Sequence, residues 1–212
     1  MRQNLTVQIL IGLPGTGKTN YSMFLKQTSS RVSVITRDII RCEVIWSSLY
    51  EGENKADNEA FEQHFEELVQ KYKVPNLDLK VDKEERLDIT RKLRKLNSRP
   101  SKTSLIILDG CHTKWDCLER LLKCIRKFIN VYIEVMFFGD YDSECHHSTN
   151  FKPEGDYSDY NNACCHSSVP ICVLQRKRDE LKELMTNHMD EIEELSDNVV
   201  FMPNVIVCGA PR

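Results

Sequence analysis

Residues Gly12 to Thr19 read GLPGTGKT, which fits the pattern G-x-x-x-x-G-K-[ST]. A loop of this kind cradles phosphate groups in a ring of backbone N–H donors. Gly12, Gly15 and Gly17 allow close backbone approaches that a side chain would block, and Pro14 and Thr16 complete the candidate cradle. Lys18 carries a point charge to the β- and γ-phosphates, and the Thr19 hydroxyl is a hard oxygen ligand suited to Mg²⁺. The helix expected after the loop aims its positive end at the anion. The cofactors this predicts are ATP and Mg²⁺.

Asp38 and Arg41 form a second candidate pair, three residues apart at an expected helix start. A carboxylate there is placed to accept the proton of an acceptor hydroxyl during phosphoryl transfer. An arginine beside it is suited to a substrate phosphate. The plainer alternative is a helix-capping aspartate and a solvated arginine. Asp109 closes an apolar run, Leu105 to Leu108, where a carboxylate can help to position Mg²⁺. The alternative there is an ordinary turn with Gly110.

The P-loop, a second strand and then Asp-x-x-Arg together resemble the polynucleotide 5′-hydroxyl kinases of the phage type. That resemblance implies a P-loop NTPase fold, a three-layer α/β/α arrangement with a mainly parallel sheet and a lid insertion. It implies Lys18, Asp38 and Arg41 as catalytic residues, with Asp38 the general base on a 5′-hydroxyl and Arg41 on the acceptor. Thr19 and Asp109 become the Mg²⁺ residues, and 5′-hydroxyl DNA or RNA the substrate. Leu-Ile-Ile-Leu-Asp-Gly-Cys-His resembles the strand-Asp-x-Thr-Asn segment of those enzymes, with Cys111 and His112 in place of Thr and Asn. Val169 to Leu174, Val-Pro-Ile-Cys-Val-Leu, resembles the segment that opens the helix after their lid.

The lid departs from that pattern. Such kinases carry arginines there, yet Phe128 to Gln175 holds none, and Lys152 is its only basic side chain apart from histidines. Arg176 and Arg178 follow closely; Arg176 is taken as a nucleotide-binding candidate. Cys145, His147, Cys164 and His166 offer enough ligands for a structural Zn²⁺, the alternative being a polar lid with incidental cysteines. Arg86, Arg91, Lys92, Arg94 and Lys95 make a basic run, read either as a solvated helix face or, by the resemblance, as the lining of a nucleic-acid channel. Tyr157 and Tyr160 are candidates for base stacking, whereas Trp46 and Trp115 read as core. A small-molecule kinase and a nucleotide-binding regulator without transfer activity stay open as rival readings.

These residues need a scaffold. Alternating strands and helices predict a mainly parallel sheet with helices on both faces. Strands are expected at Leu5–Ile11, Arg31–Thr36, Ser104–Leu108, Val131–Phe138 and within Val199–Val207. Helices are expected after the P-loop with Tyr21, Phe24 and Leu25 inward, over Asp38–Tyr50 with Ile40, Val44 and Leu49 inward, and over Ala60–Tyr72. Further helices are expected over Asp82–Asn97, from Trp115 through Phe128, and as one long element from Val169 to Ser196. Residues 140–168 are expected to form a lid or insert loop in a single domain spanning 1–212. The net charge of -3 excludes a protein whose whole surface grips nucleic acid, though not a local basic groove. No secretory pattern or bilayer-length apolar run is apparent, so an intracellular soluble protein of cytoplasm or nucleus is expected, with no membrane partner. An odd count of nine cysteines in such a chain argues for free thiols or a metal over a disulfide framework.

Overall fold

The computed structural model describes residues 5–50, 76–98, 103–142 and 171–202. In chain order these hold β1 (Leu5–Gly12), α1 (Lys18–Thr28), β2 (Val32–Thr36), α2 (Arg37–Tyr50), α3 (Leu77–Ser98) and β3 (Leu105–Asp109). There follow α4 (Trp115–Ile125), β4 (Val131–Phe138), α5 (Ile171–Asn187), α6 (Met189–Leu195) and β5 (Asn198–Met202). The strands form one sheet in the order β2-β3-β1-β4-β5, and every neighbouring pair is parallel.

Parallel strands covered on both faces need apolar side chains on both, and β1 supplies them. Val7, Ile9 and Ile11 point into the larger core, with Ile106 and Leu108 of β3 and Ile133, Val135 and Phe137 of β4. Leu10 points the other way, with Ile107, Met136 and Phe138, under Tyr21 and Leu25 of α1. The larger core is closed by Ile40 and Val44 of α2, Val81, Ile89 and Leu93 of α3, the buried stripe of α4, and Leu181, Leu184 and Ile192 of α5 and α6. Helices therefore lie on both faces, as the alternating pattern predicts.

This topology makes the crevice. The chain leaves β1 through α1 on one face and leaves β3 through α4 on the other. β1 and β3 are neighbours, so the loops at their carboxyl ends part and leave a gap where open α/β sheets bind ligands. The P-loop, Asp38 and Asp109 all stand at that edge.

Several expectations need correction. Phe24 is 62% exposed, because Tyr21 and Leu25 already cover the sheet beneath α1. α3 begins at Leu77, ahead of the expected Asp82. The last long helix is two helices. The chain breaks at His188, whose ring stacks on Trp115 with centroids 4.6 Å apart. Trp115 thus lies at the core's margin rather than inside it. The expected helix over Ala60–Tyr72, the side chains of Trp46 and Leu49, and residues 203–207 of the expected last strand lie outside the described residues.

Candidate active site

The P-loop folds around its own lysine. Lys18 is buried, and its Nζ donates to Gly12 O at 3.0 Å, Leu13 O at 2.6 Å and Thr16 Oγ1 at 3.3 Å. Thr16 Oγ1 in turn donates to Leu13 O at 2.9 Å. An incoming phosphate competes with these neutral acceptors and outbids them by its charge. Gly17 caps α1 in the left-handed region (φ 92°), and no side chain bonds the first turn. The N–H groups of that turn are therefore presented to an anion. Gly12 is required by space: a Cβ there would stand 2.6 Å from Phe138 O, at a φ of 150°.

Asp109 ends β3 in a buried position beside this loop. Thr19 Oγ1 lies 3.5 Å from its Oδ1, and Ser22 Oγ donates to its Oδ2 at 2.9 Å. A helix hydroxyl and a strand-end carboxylate side by side are hard oxygen donors, the set that suits Mg²⁺ on a nucleotide. The residues present thus fit that ion. Ser22 was not foreseen. Its only sequence signal is a small polar residue one turn beyond Lys18, on the helix face toward the sheet.

Asp38 sits in the first turn of α2. Its carboxyl reaches solvent, yet the protein crowded around the recess raises its pKa above the ordinary value, and Asp109 raises it further. Lys18, Arg41 and Arg37 pull the other way. The charges of Lys18 and Asp109 thus act on Asp38. Arg41 faces outward and pairs with Asp78 at 3.3 Å; both side chains are exposed, so the pair is weak.

The sequence reading missed a buried cluster beneath Asp38. Glu85 of α3 accepts from Arg37 Nη1 through Oε2, and His112 Nε2 lies 2.7 Å from its Oε1. The other ring nitrogen, Nδ1, is 2.8 Å from Leu10 O of β1. A carbonyl can only accept, so Nδ1 carries a proton. Burial would raise the pKa of the Glu85 carboxyl, but its partners His112 and Arg37 hold it below the usual value. Glu85 was hidden among the charges of a helix read as basic. His112 had a signal, since it departs from the family pattern.

The basic run looks different in three dimensions. Arg86 pairs with Asp82 at 3.4 Å and Arg91 with Asp88 at 2.8 Å, both along α3. Lys92, whose pKa is lowered first by burial, is also influenced by Lys26, in the last turn of α1. Because α3 ends at Ser98, shortly before β3 begins at Leu105, this end of α3 lies toward the amino ends of the strands, away from the P-loop.

Arg176 lies on the exposed side of α5, 3.9 Å from Glu180 Oε1. Glu180 also accepts from Thr113 Oγ1 at 2.6 Å and Lys177 at 2.7 Å. Because Thr113 follows β3, this contact ties α5 to the carboxyl edge of the sheet. Cys145, His147, Cys164, His166, Lys152, Tyr157, Tyr160 and the Val169-Pro170 segment lie outside the described residues. Among the described residues no group of three or more His, Cys, Asp or Glu could hold a metal ion. None of the described helices is long and apolar enough to cross a membrane.

A five-stranded parallel sheet with GLPGTGKT between its central strand and α1 is the P-loop NTPase fold. No family model and no curated protein matches the chain. Solved structures similar to it include a chain of the Pnkp1/Rnl/Hen1 RNA repair complex, with a TM-score of 0.49 and 13% identity over 87% of this chain and 46% of that one. A second Pnkp1/Rnl/Hen1 complex matches with a TM-score of 0.43 and 15% identity, over 76% of this chain and 44% of the other. A gluconokinase from Sinorhizobium meliloti 1021 matches with a TM-score of 0.43 and 11% identity, over 97% of this chain and 85% of its own. The chain thus spans less than half the length of the first two.

Proposed function

We propose that this chain is a phosphotransferase that moves the γ-phosphate of ATP to the 5′-hydroxyl of a polynucleotide. The observation that carries the reading is the gathering of Lys18, Thr19, Asp38 and Asp109 at one edge of the sheet, with Thr19 Oγ1 3.5 Å from Asp109 Oδ1, where the crowding of the protein and the Asp109 carboxylate raise the pKa of Asp38. A more basic carboxylate is a better acceptor for the hydroxyl proton, and it stands where P-loop and metal carboxylate converge. Lys18 and the loop N–H groups hold the phosphates. Thr19 and Asp109 would hold Mg²⁺, which when bound neutralises charge on the phosphate oxygens. Arg41 orients the acceptor, exchanging Asp78 for a phosphate. Arg176 supplies charge that the arginine-free lid lacks. The chain acts as a single domain with the lid inserted after β4.

The displacement of Lys92 and Lys95 toward the far edge favours a second reading, a kinase for a small hydroxyl compound. One assay separates the two. Labelled ATP is offered with 5′-hydroxyl oligonucleotides, with free nucleosides and sugars, and with no acceptor. Label on oligonucleotides that disappears in Asp38→Asn supports the polynucleotide reading. Label on small molecules alone moves the assignment to the second, and nucleotide binding without transfer rejects both.

A further inference from the structure

The cluster beneath Asp38 joins three elements. His112 carries one ring nitrogen to the Leu10 carbonyl of β1 and the other to Glu85 of α3, and Glu85 holds Arg37, the first residue of α2. The side chains of Glu85 and His112 are each 1% exposed, and that of Arg37 is 18% exposed. With Glu85 ionised between a guanidinium and a ring nitrogen, the proton on Nε2 stays on the ring, so both ring nitrogens donate and His112 is an imidazolium. Gly110 leaves room for this arrangement: a Cβ there would meet Arg37 Cβ and His112 Cε1, each at 2.9 Å.

Arg37 directly precedes the candidate base. The charged groups that act on Asp38 are Asp109 of β3, Lys18 at the head of α1, and Arg41 and Arg37 of α2. Of these, Arg37 is the cation that a buried carboxylate partly neutralises. We propose that Glu85, oriented by a doubly protonated His112, is a positioning residue for phosphoryl transfer: it fixes the Arg37 guanidinium and screens it, so that Asp38 keeps its basicity. This inference rests on Asp38 being the base, as argued above. It adds that the basicity is adjusted from α3 and the β3–α4 turn, away from the reacting atoms.

Opposite charge changes give opposite results if this holds. Glu85→Gln unmasks Arg37, and Arg37→Gln removes it. The acidic limb of the transfer rate should move down in the first and up in the second by roughly half a pH unit, with kcat falling about two- to threefold in Glu85→Gln and the KM for ATP unchanged. The double variant should return toward wild type, because the two changes cancel. A merely structural role would lower thermal stability in all three without separating the limbs in sign. Single variants whose limbs move the same way, or stay in place, would overturn the proposal, as would a double variant whose limb stays displaced with either single variant.

Nitrogen-15 spectra of the His112 ring in the wild-type protein give a readout free of folding defects and of activity. Two protonated nitrogens at neutral pH are expected, and a singly protonated ring would sink the idea. The two failures are separable. Transfer that survives Asp38→Asn rejects the base, and the inference with it, while the ring spectrum still reports the cluster. An Asp38-dependent limb that ignores Glu85 and Arg37 rejects the inference alone.

Discussion

Replacing Ser22 by alanine removes a single oxygen from the interior and tests how Asp109, the candidate metal carboxylate, is held. Ser22 is fully buried; its Oγ lies 2.9 Å from Asp109 Oδ2 and 3.0 Å from Thr19 O. A hydrogen bond to an ionised acceptor contributes about 1.5–3 kcal/mol. Thr19 Oγ1, at 3.5 Å, is too far to replace it. Alanine returns about 0.5 kcal/mol as the better helix former. The net loss is about 2 kcal/mol, which for a chain of this size lowers Tm by about 4–8 °C. The functional consequence is selective. Nucleotide affinity measured with Mg²⁺ should fall, because Asp109 loses its orientation. Affinity measured in chelator should hold, because the loop N–H groups and Lys18 do not depend on Ser22. Calorimetric titration in the two buffers, beside thermal melts, makes the measurement. A Tm within a degree of wild type, or equal losses with and without Mg²⁺, would show the reasoning to be wrong.

Three further outcomes are expected. Gly12→Ala drives a Cβ to 2.6 Å from Phe138 O, so it should cost about 1–3 kcal/mol in a melt and weaken nucleotide binding, whereas Ala at an open surface position would do neither. In the proposed reaction, kcat against pH should rise through an apparent pKa above the usual aspartate value of about 3.9, since the protein crowded around Asp38 and the Asp109 carboxylate raise it; a limb at or below that value contradicts the assignment. Glu85 supplies a stability effect of the opposite sign. Its folded-state pKa is lowered, so its contribution is complete above the unfolded value of about 4.3 and is lost as pH falls through the lower folded value. Glu85→Gln should therefore melt below wild type at neutral pH, and the gap should narrow in acid; a gap that is constant from pH 7 to strong acid would refute the linkage.

The candidate site was legible where its residues are local in the chain. GLPGTGKT is contiguous, and its function is carried mainly by backbone and by two side chains next to each other, so eight letters suffice. Asp38 and Asp109 were legible for a related reason. Each stands at the end of an apolar run, and in a parallel sheet such ends gather at one edge. The central strands β1, β3 and β4 were legible because both of their faces are largely buried, which favours near-continuous apolar runs.

Other features depend on distance in sequence. Ser22 meets Asp109 across 87 positions and His112 meets Glu85 across 27, and nothing local marks either pairing. Glu85 sits in a helix dense with charges of both signs, where an inward carboxylate and a solvated one look alike until the facing cations are known. The same density made α3 read as a basic stripe, although Arg86 and Arg91 pair along the helix and its Lys92 end lies away from the P-loop. The break at His188 was hidden because the apolar spacing runs through it without a proline or glycine. The amino-acid sequence by itself thus determined which phosphate-binding loop is present and the sheet that displays it, because backbone geometry and burial periodicity are local. Tertiary structure alone decided which charges neutralise one another around Asp38, because that depends on separations between elements far apart in the chain.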